Sequence, residues 1–422
     1  MDISKKYADI LNNSDISGLS EELKIQYIKY QYENNENDTL VLCNSLYEAT
    51  TIYNNLRTYI DNVLLFPMDD FLTTMALAVS PELKVKRLET LNAIQHENKK
   101  LVITNLMGYL KFVPNKSVLQ KMNITLNKSD KINRKSFEEL IDKYGYTKTS
   151  IVTSTGEYSL RGYIIDIFPY NYDNPVRIEL FGNQIESIKN FDGESQRTIN
   201  EIETTEIYPY KELISDNHIS ILNLLNKANL IYYDKELILQ GYKTLTDQIL
   251  EYKENNDIKE KLMFTLEELK ATTEKNLYAF LKQGVLNIAS ENIENFNGNY
   301  ELLINFIKNK EDNHNIYIYI TNKIILDFLK TALVNSNSKN IHIIKEKLNK
   351  GFIIDDNIFI SENDIEKTSQ TKNYHNPVKI GRKIKDFSDI KPGDYIVHSV
   401  HGIGIYGGII TLEKNGFKKD YI

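Results

Sequence analysis

Few side chains in this chain are spaced for catalysis. A phosphate-binding loop needs glycines that let the backbone close on phosphate, and a lysine followed by Ser or Thr for phosphate and metal. No G-x-x-x-x-G-K-[ST] occurs, and the nearest stretch, Ser17-Gly18-Leu19-Ser20, has one glycine and no lysine. It reads as a helix N-terminus with a serine cap, a degenerate loop that holds no cofactor. Asp69 and Asp70 follow a strand pattern, where α/β active sites sit. Adjacent residues point apart, so the pair reads as solvated loop. His398 and His401 would need further ligands to hold a metal, and none is obviously placed. There is no nucleophile elbow, no H-E-x-x-H and no kinase set. Cys43 is the only cysteine, so neither an intrachain disulfide nor a cysteine-built metal site is possible. The expected catalytic and metal sets are empty.

Recognition chemistry is better supported, at 156–197. From Val176 the chain alternates, with Val176, Ile178 and Leu180 on one side and Arg177, Glu179 and Phe181 on the other. Period two sends these sets to opposite faces of a strand. Gly182-Asn183 then offers a tight turn. Before it, Tyr163 to Phe168 is an apolar run broken only by Asp166 and ended by Pro169. At least three antiparallel strands are expected. Phe181 falls on the polar face with Arg177, and Arg161 on the preceding strand can join them. An exposed Phe flanked by arginines has the composition of a protein-binding hot spot. A second layer covering that face would satisfy the same pattern and make Phe181 ordinary core.

The elements that must position this face belong to a chain of 422 residues, more than one core usually supports, so roughly two to four domains are expected. Hydrophobic content of 41% and charged content of 26% fit a folded soluble protein. No apolar run reaches the ~18 residues of a membrane span, and the N-terminus lacks a signal-peptide core. With a single cysteine, a reducing cytoplasm is the expected compartment. A net charge of −7 argues against a general nucleic-acid binder. Residues 1–119 alternate strand and helix patterns: a helix from Ser20, strands at 38–43, 63–66 and 101–104, helices at 46–59 and 81–96. That order implies a parallel sheet with crossover helices. Residues 120–211 form the antiparallel module and 212–295 return to α/β character. A small α/β block spans 296–365, and 366–386 is a polar linker.

The last segment differs in composition. Six of the 18 glycines fall in 390–422, and Asn415-Gly416 is a two-residue hairpin signal. The pattern is the start of a small β-barrel, cut inside a strand at Ile422. Lys383, Lys385, Lys391, Lys418 and Lys419 flank it, and a solvated surface is their default reading.

These residues carry a resemblance. R-G-x-x-I-D-I-F-P, P-V-R-I-E-x-F-G and E-S-I-x-x-F-D-x-x-S-Q-R together resemble the domain shared by the excinuclease subunit UvrB and the transcription-repair coupling factors (Mfd proteins). The tail from Lys391 is similar to the start of the RNA-polymerase-interacting domain of that family, a CarD-like barrel. The resemblance implies an α/β multidomain fold: a UvrB-like degenerate parallel α/β domain with an inserted antiparallel α+β domain, a small α/β domain, and the start of a CarD/SH3-like barrel. It implies UvrA binding through Arg161, Arg177 and Phe181, and binding of the RNA polymerase β subunit through Ile409, Ile410, Thr411 and Leu412. The family's ATP- and Mg-dependent DNA translocase motor would lie beyond Ile422, so residues 1–422 alone are expected to be an adaptor rather than an enzyme, with DNA contacted mainly by the motor. No room for a damage-clamping hairpin is left between Phe71 and Arg87. Two other readings are a UvrB-type ATPase, which needs a phosphate loop, and a stand-alone CarD-like polymerase regulator, which needs a complete barrel.

Overall fold

The computed structural model describes residues 3–69, 80–96, 98–214, 216–333 and 339–366, and within the C-terminal segment 393, 395–398, 402–408, 410–414 and 417–421. Asp70, the 71–79 stretch, most of the 366–386 linker, Lys383, Lys385, Lys391, His401, Ile409, Asn415-Gly416 and Ile422 lie outside the described residues. The chain divides into two compact units, Met1–Val378 and Lys379–Ile422.

The first unit is built on a seven-stranded sheet in which every neighbouring pair is parallel. Its strands run in the order Leu286–Asn287, Asp15–Ser17, Thr273–Tyr278, Asn229–Tyr232, Thr39–Cys43, Leu101–Asn105 and Val63–Phe66. The apolar runs 39–43 and 101–105 are central and buried throughout, as strands covered on both faces must be. Helices Glu21–Glu33, Leu46–Leu56, Pro81–His96 and Lys235–Asn255 supply the crossovers. Residues on both sides of the antiparallel module contribute strands, so that module is an insertion into one sheet.

The insertion is a six-stranded sheet in the order Thr198–Ile202, Gln184–Phe191, Val176–Phe181, Ile164–Ile167, Glu157–Arg161 and Thr147–Lys148. All pairs are antiparallel except the last. Its inner face, including Tyr158, Ile165, Ile167, Val176, Ile178, Leu180, Ile185 and Ile188, packs with Phe137 and Ile141 of helix Arg134–Lys143. Val85 and Leu88 of helix Pro81–His96 enter the same core.

A buried ion triad ties the insertion's C-terminal end to the parallel layer. Glu212 accepts from Arg87 Nε at 2.6 Å and from Lys111 Nζ at 2.9 Å, and Arg87 Nη1 also donates to the Pro67 carbonyl at 3.1 Å. Burial alone would raise the Glu212 carboxyl, but Lys111 and Arg87 overcome it and hold it below the ordinary glutamate range.

The small α/β layer is a five-stranded mixed sheet, in the order Ser290–Asn292, Phe352–Ile354, Asn357–Ser361, Asn315–Tyr319, Ile341–Ile344. It shares a hydrophobic core with the first layer: Phe352, Ile354 and Phe359 pack in one cluster with Ile3, Tyr7, Leu11 and Ile28. Glu22 is buried at this junction. Its carboxylate accepts from Tyr59 Oη at 2.5 Å and from Gln26 Nε2 at 2.8 Å. Desolvation nevertheless dominates and raises it to about 7.

In the second unit the strands form two separate hairpins, Tyr395–His398 with Gly402–Ile405 and Ile410–Lys414 with Phe417–Tyr421. Among the described residues no ladder joins them into the expected barrel. No helix of the described residues is long and apolar enough to cross a membrane.

Two stability predictions follow from the buried acids. Glu22 holds its proton more tightly folded than unfolded, so its contribution is full below the unfolded value near 4.5 and is lost as pH rises to about 7. Thermal unfolding from pH 4.5 to 7 should show Glu22→Gln losing less stability across that window than wild type. Glu212 has the opposite sign: its contribution is present above the unfolded glutamate value and lost as pH falls through the depressed one. Glu212→Gln strands two buried cations, and denaturant unfolding at pH 7 should register a loss of about 3 kcal/mol.

Candidate protein-docking face and the filled loop

The outer face of the antiparallel sheet is organised by one acid. Asp166 is fully buried within its strand, directly opposite Arg177 on one side and Ser159 on the other. Arg177 grips it with a two-pronged contact, Nε to Oδ1 at 2.7 Å and Nη2 to Oδ2 at 3.0 Å. Arg161 Nη2 reaches the same Oδ2 at 2.5 Å from the next strand. A buried carboxylate is tolerable only when its charge and lone pairs are matched in this way. The Arg177 fork is held again from behind. Its Nη2 donates to Gln196 Oε1 at 3.2 Å, and its guanidinium carbon lies 4.3 Å from the Phe191 ring centroid. Gln196 sits at φ +60° and anchors its own amide on the Val152 and Gly193 carbonyls at 3.1 and 2.8 Å.

The next outward residue, Glu179, accepts from Lys189 Nζ at 2.5 Å and Ser187 Oγ at 2.6 Å. The Lys189 hydrogen bond, seconded by Ser187, holds its carboxyl below the ordinary range. Phe181 ends the strand beside the turn at Gly182, which adopts φ +64° with open space around it, so glycine is there for its backbone freedom. Phe181 is 79% exposed. The alternative in which a second layer buries it as core is therefore wrong for this unit. The side chain of Arg161 is 46% exposed and that of Arg177 only 15%. The structure thus brings Arg161, Arg177 and Phe181 onto one face and gives them unequal access to solvent. Sequence reasoning missed Asp166 and Gln196 as members of this group. The Asp166 signal was available, as the one acid interrupting an apolar strand.

At the degenerate loop, Ser17 ends its strand and Gly18 adopts φ +76°. Ser20 is the helix N-cap, but the serine cap expected there is not formed: its side chain caps nothing, and its buried Oγ has no hydrogen-bond partner. Two N–H groups at the start of the helix are met by distant side chains. Ser20 N donates to Ser290 Oγ at 2.7 Å, and Glu21 N to Asn292 Oδ1 at 3.1 Å. Ser290 Oγ in turn donates to the Gly18 carbonyl at 2.8 Å, and Ile288 N to the Ser17 carbonyl at 3.0 Å. A Cβ at Gly18 would lie 2.0 Å from the Ile288 carbonyl oxygen. Leu19 is buried. Two backbone donors at this helix start are thus taken by side chains of the 290–292 strand.

Of the other sequence candidates, Asp69 Oδ2 accepts from the Ser80 backbone at 3.4 Å. Ile410, Thr411 and Leu412 lie on a hairpin strand, with Leu412 opposite Lys419. No group of metal-ligating side chains occurs among the described residues.

Residues 124–213 match the family model of the UvrB interaction domain, and residues 390–422 that of the CarD-like/TRCF RID domain. The first match covers the docking face just described. Over 97% of its length the chain is 26% identical to a transcription-repair-coupling factor of Staphylococcus aureus, and over 96% it is 24% identical to that of Bacillus subtilis. This chain resembles the N-terminal part of a transcription-repair-coupling factor. It spans 43% of the length of those curated relatives.

The unequal burial of the arginines has a measurable consequence. Arg177→Met keeps a side chain over Phe191 but leaves Asp166 with a single cation, and should cost about 3 kcal/mol in urea unfolding. Arg161→Gln, half exposed, should cost less than about 1 kcal/mol in the same assay.

Proposed function

We propose that this chain is the partner-docking part of a transcription-repair coupling factor, and that it recruits UvrA through Arg161, Arg177 and Phe181. The observation that carries the reading is Phe181, a large exposed aromatic on the same sheet face as a half-exposed arginine, where the neighbouring charges are already matched. Such a face offers an apolar anchor and a directed cation without the penalty of burying unpaired charge. Its natural complement is an apolar pocket rimmed by carboxylates.

The second half of the proposal is that the C-terminal unit, completed as a CarD-like barrel, binds the RNA polymerase β subunit along Ile409 to Leu412. The match of residues 390–422 to the CarD-like/TRCF RID model supports it. In this reading the whole protein links stalled polymerase in the cytoplasm to excision repair and moves DNA with an ATP-driven motor that residues 1–422 do not supply. The filled loop at Gly18 supports an adaptor role for these residues over a UvrB-type ATPase.

The test uses substitutions that leave the two-pronged Arg177 grip on the buried acid in place. Phe181→Ala and Arg161→Ala alter exposed groups, and the double variant should stay folded with a stability loss of no more than about 1 kcal/mol. Its affinity for UvrA, measured by titration calorimetry with the 422-residue chain, should fall at least roughly thirtyfold, the scale of a lost hot spot. Equal affinity of the double variant and wild type would remove this face from the interaction.

A further inference from the structure

We infer that Asp166 is the positioning residue of the docking face, the buried acceptor that holds Arg161 and Arg177 in place for the partner. This rests on the UvrA-docking reading above. Three observations carry it. Asp166 is fully buried, so it cannot touch a partner. It is the shared acceptor of both arginines, at 2.7 and 3.0 Å for Arg177 and 2.5 Å for Arg161. The Arg177 fork is itself braced, donating to Gln196 Oε1 at 3.2 Å and to the Gln196 carbonyl at 3.4 Å, with its guanidinium carbon 4.3 Å from the Phe191 ring centroid.

The chemistry of the pair sets the division of labour. Arg177 occupies both carboxylate oxygens in a two-pronged geometry, which fixes where Oδ2 points. Arg161 uses one nitrogen on that oxygen, leaving its remaining N–H groups available to an acidic group on the partner. A long arginine on an edge-proximal strand would otherwise sample many rotamers, and holding it removes an ordering penalty of binding. Asp166 therefore presents Arg161, while Arg177 and Gln196 hold Asp166 and its partner in place.

A double-mutant cycle on UvrA binding tests this, with Asp166→Asn, Arg161→Gln and the pair together. Asp166→Asn should weaken binding about tenfold. The double variant should bind no more weakly than Arg161→Gln alone, a coupling that general loosening of the sheet would not produce. Asp166→Asn binding like wild type, or a loss that adds fully to that of Arg161→Gln, overturns the inference. Should Asp166→Asn fail to fold by circular dichroism, Gln196→Ala decides. It leaves the buried ion contacts intact and should cost about threefold in affinity, and wild-type affinity for it overturns the inference. Phe181→Ala in the same titrations separates the two readings. If Phe181→Ala loses affinity while Asp166→Asn does not, only the positioning role fails. If Phe181→Ala binds as wild type, the docking reading fails and takes the positioning role with it.

Discussion

A carboxylate with no exposure sits in the middle of a β-sheet, and the outer face of that sheet is arranged around the need to neutralise it. Left alone, Asp166 would cost several kcal/mol in desolvation. Arg177 and Arg161 approach it from the two neighbouring strands, which fixes the outer-face register of Glu157–Arg161, Ile164–Ile167 and Val176–Phe181 together. A slip of one residue in either pairing would turn an arginine to the inner, apolar face and leave the acid unmatched. With the charges consumed in holding one another, the aromatic at the end of the ladder is left as the group without a partner. Exposure of Phe181 is thus a product of the same register that satisfies Asp166.

The rest of the first unit holds that sheet in place. The parallel layer has central strands buried on both faces, and the Arg87–Glu212–Lys111 triad anchors the insertion where the chain returns to it. A shared apolar core joins the small α/β layer to the first. The same junction closes the degenerate loop, since Ser290 and Asn292 belong to the edge strand of the small sheet and satisfy the start of the helix Glu21–Glu33. The start of that helix is a joint between the two layers, held by hydrogen bonds to the 290–292 strand.

Much of this was legible from pattern. Strand Val63–Phe66 and helix Pro81–His96 fall where apolar spacing and the N-terminal proline put them. Val176, Ile178 and Leu180 are buried and Arg177, Glu179 and Phe181 turn outward as alternation requires. What alternation lacks is the third dimension. Whether a second layer covered Phe181 depended on segments far away in sequence, and only the fold decides it. The expected serine cap at Ser20 fails for a related reason: the helix start is held from far away in sequence, with Ser290 Oγ, 270 residues on, accepting from the Ser20 N–H. Gln196 was invisible because its role depends on a left-handed backbone conformation that a glutamine gives no cue to. Asp166 was visible as a break in an apolar run, but its two partners emerge only once the strand order is known.

The central claim is that the outer face of the antiparallel sheet is where UvrA docks. Amide hydrogen exchange of the 422-residue chain, with and without saturating UvrA, tests it without altering any residue. The account predicts protection concentrated in two neighbouring segments, 161–166 and 177–184, with the small α/β layer unchanged. Unchanged exchange in both segments alongside protection elsewhere in the chain would contradict it.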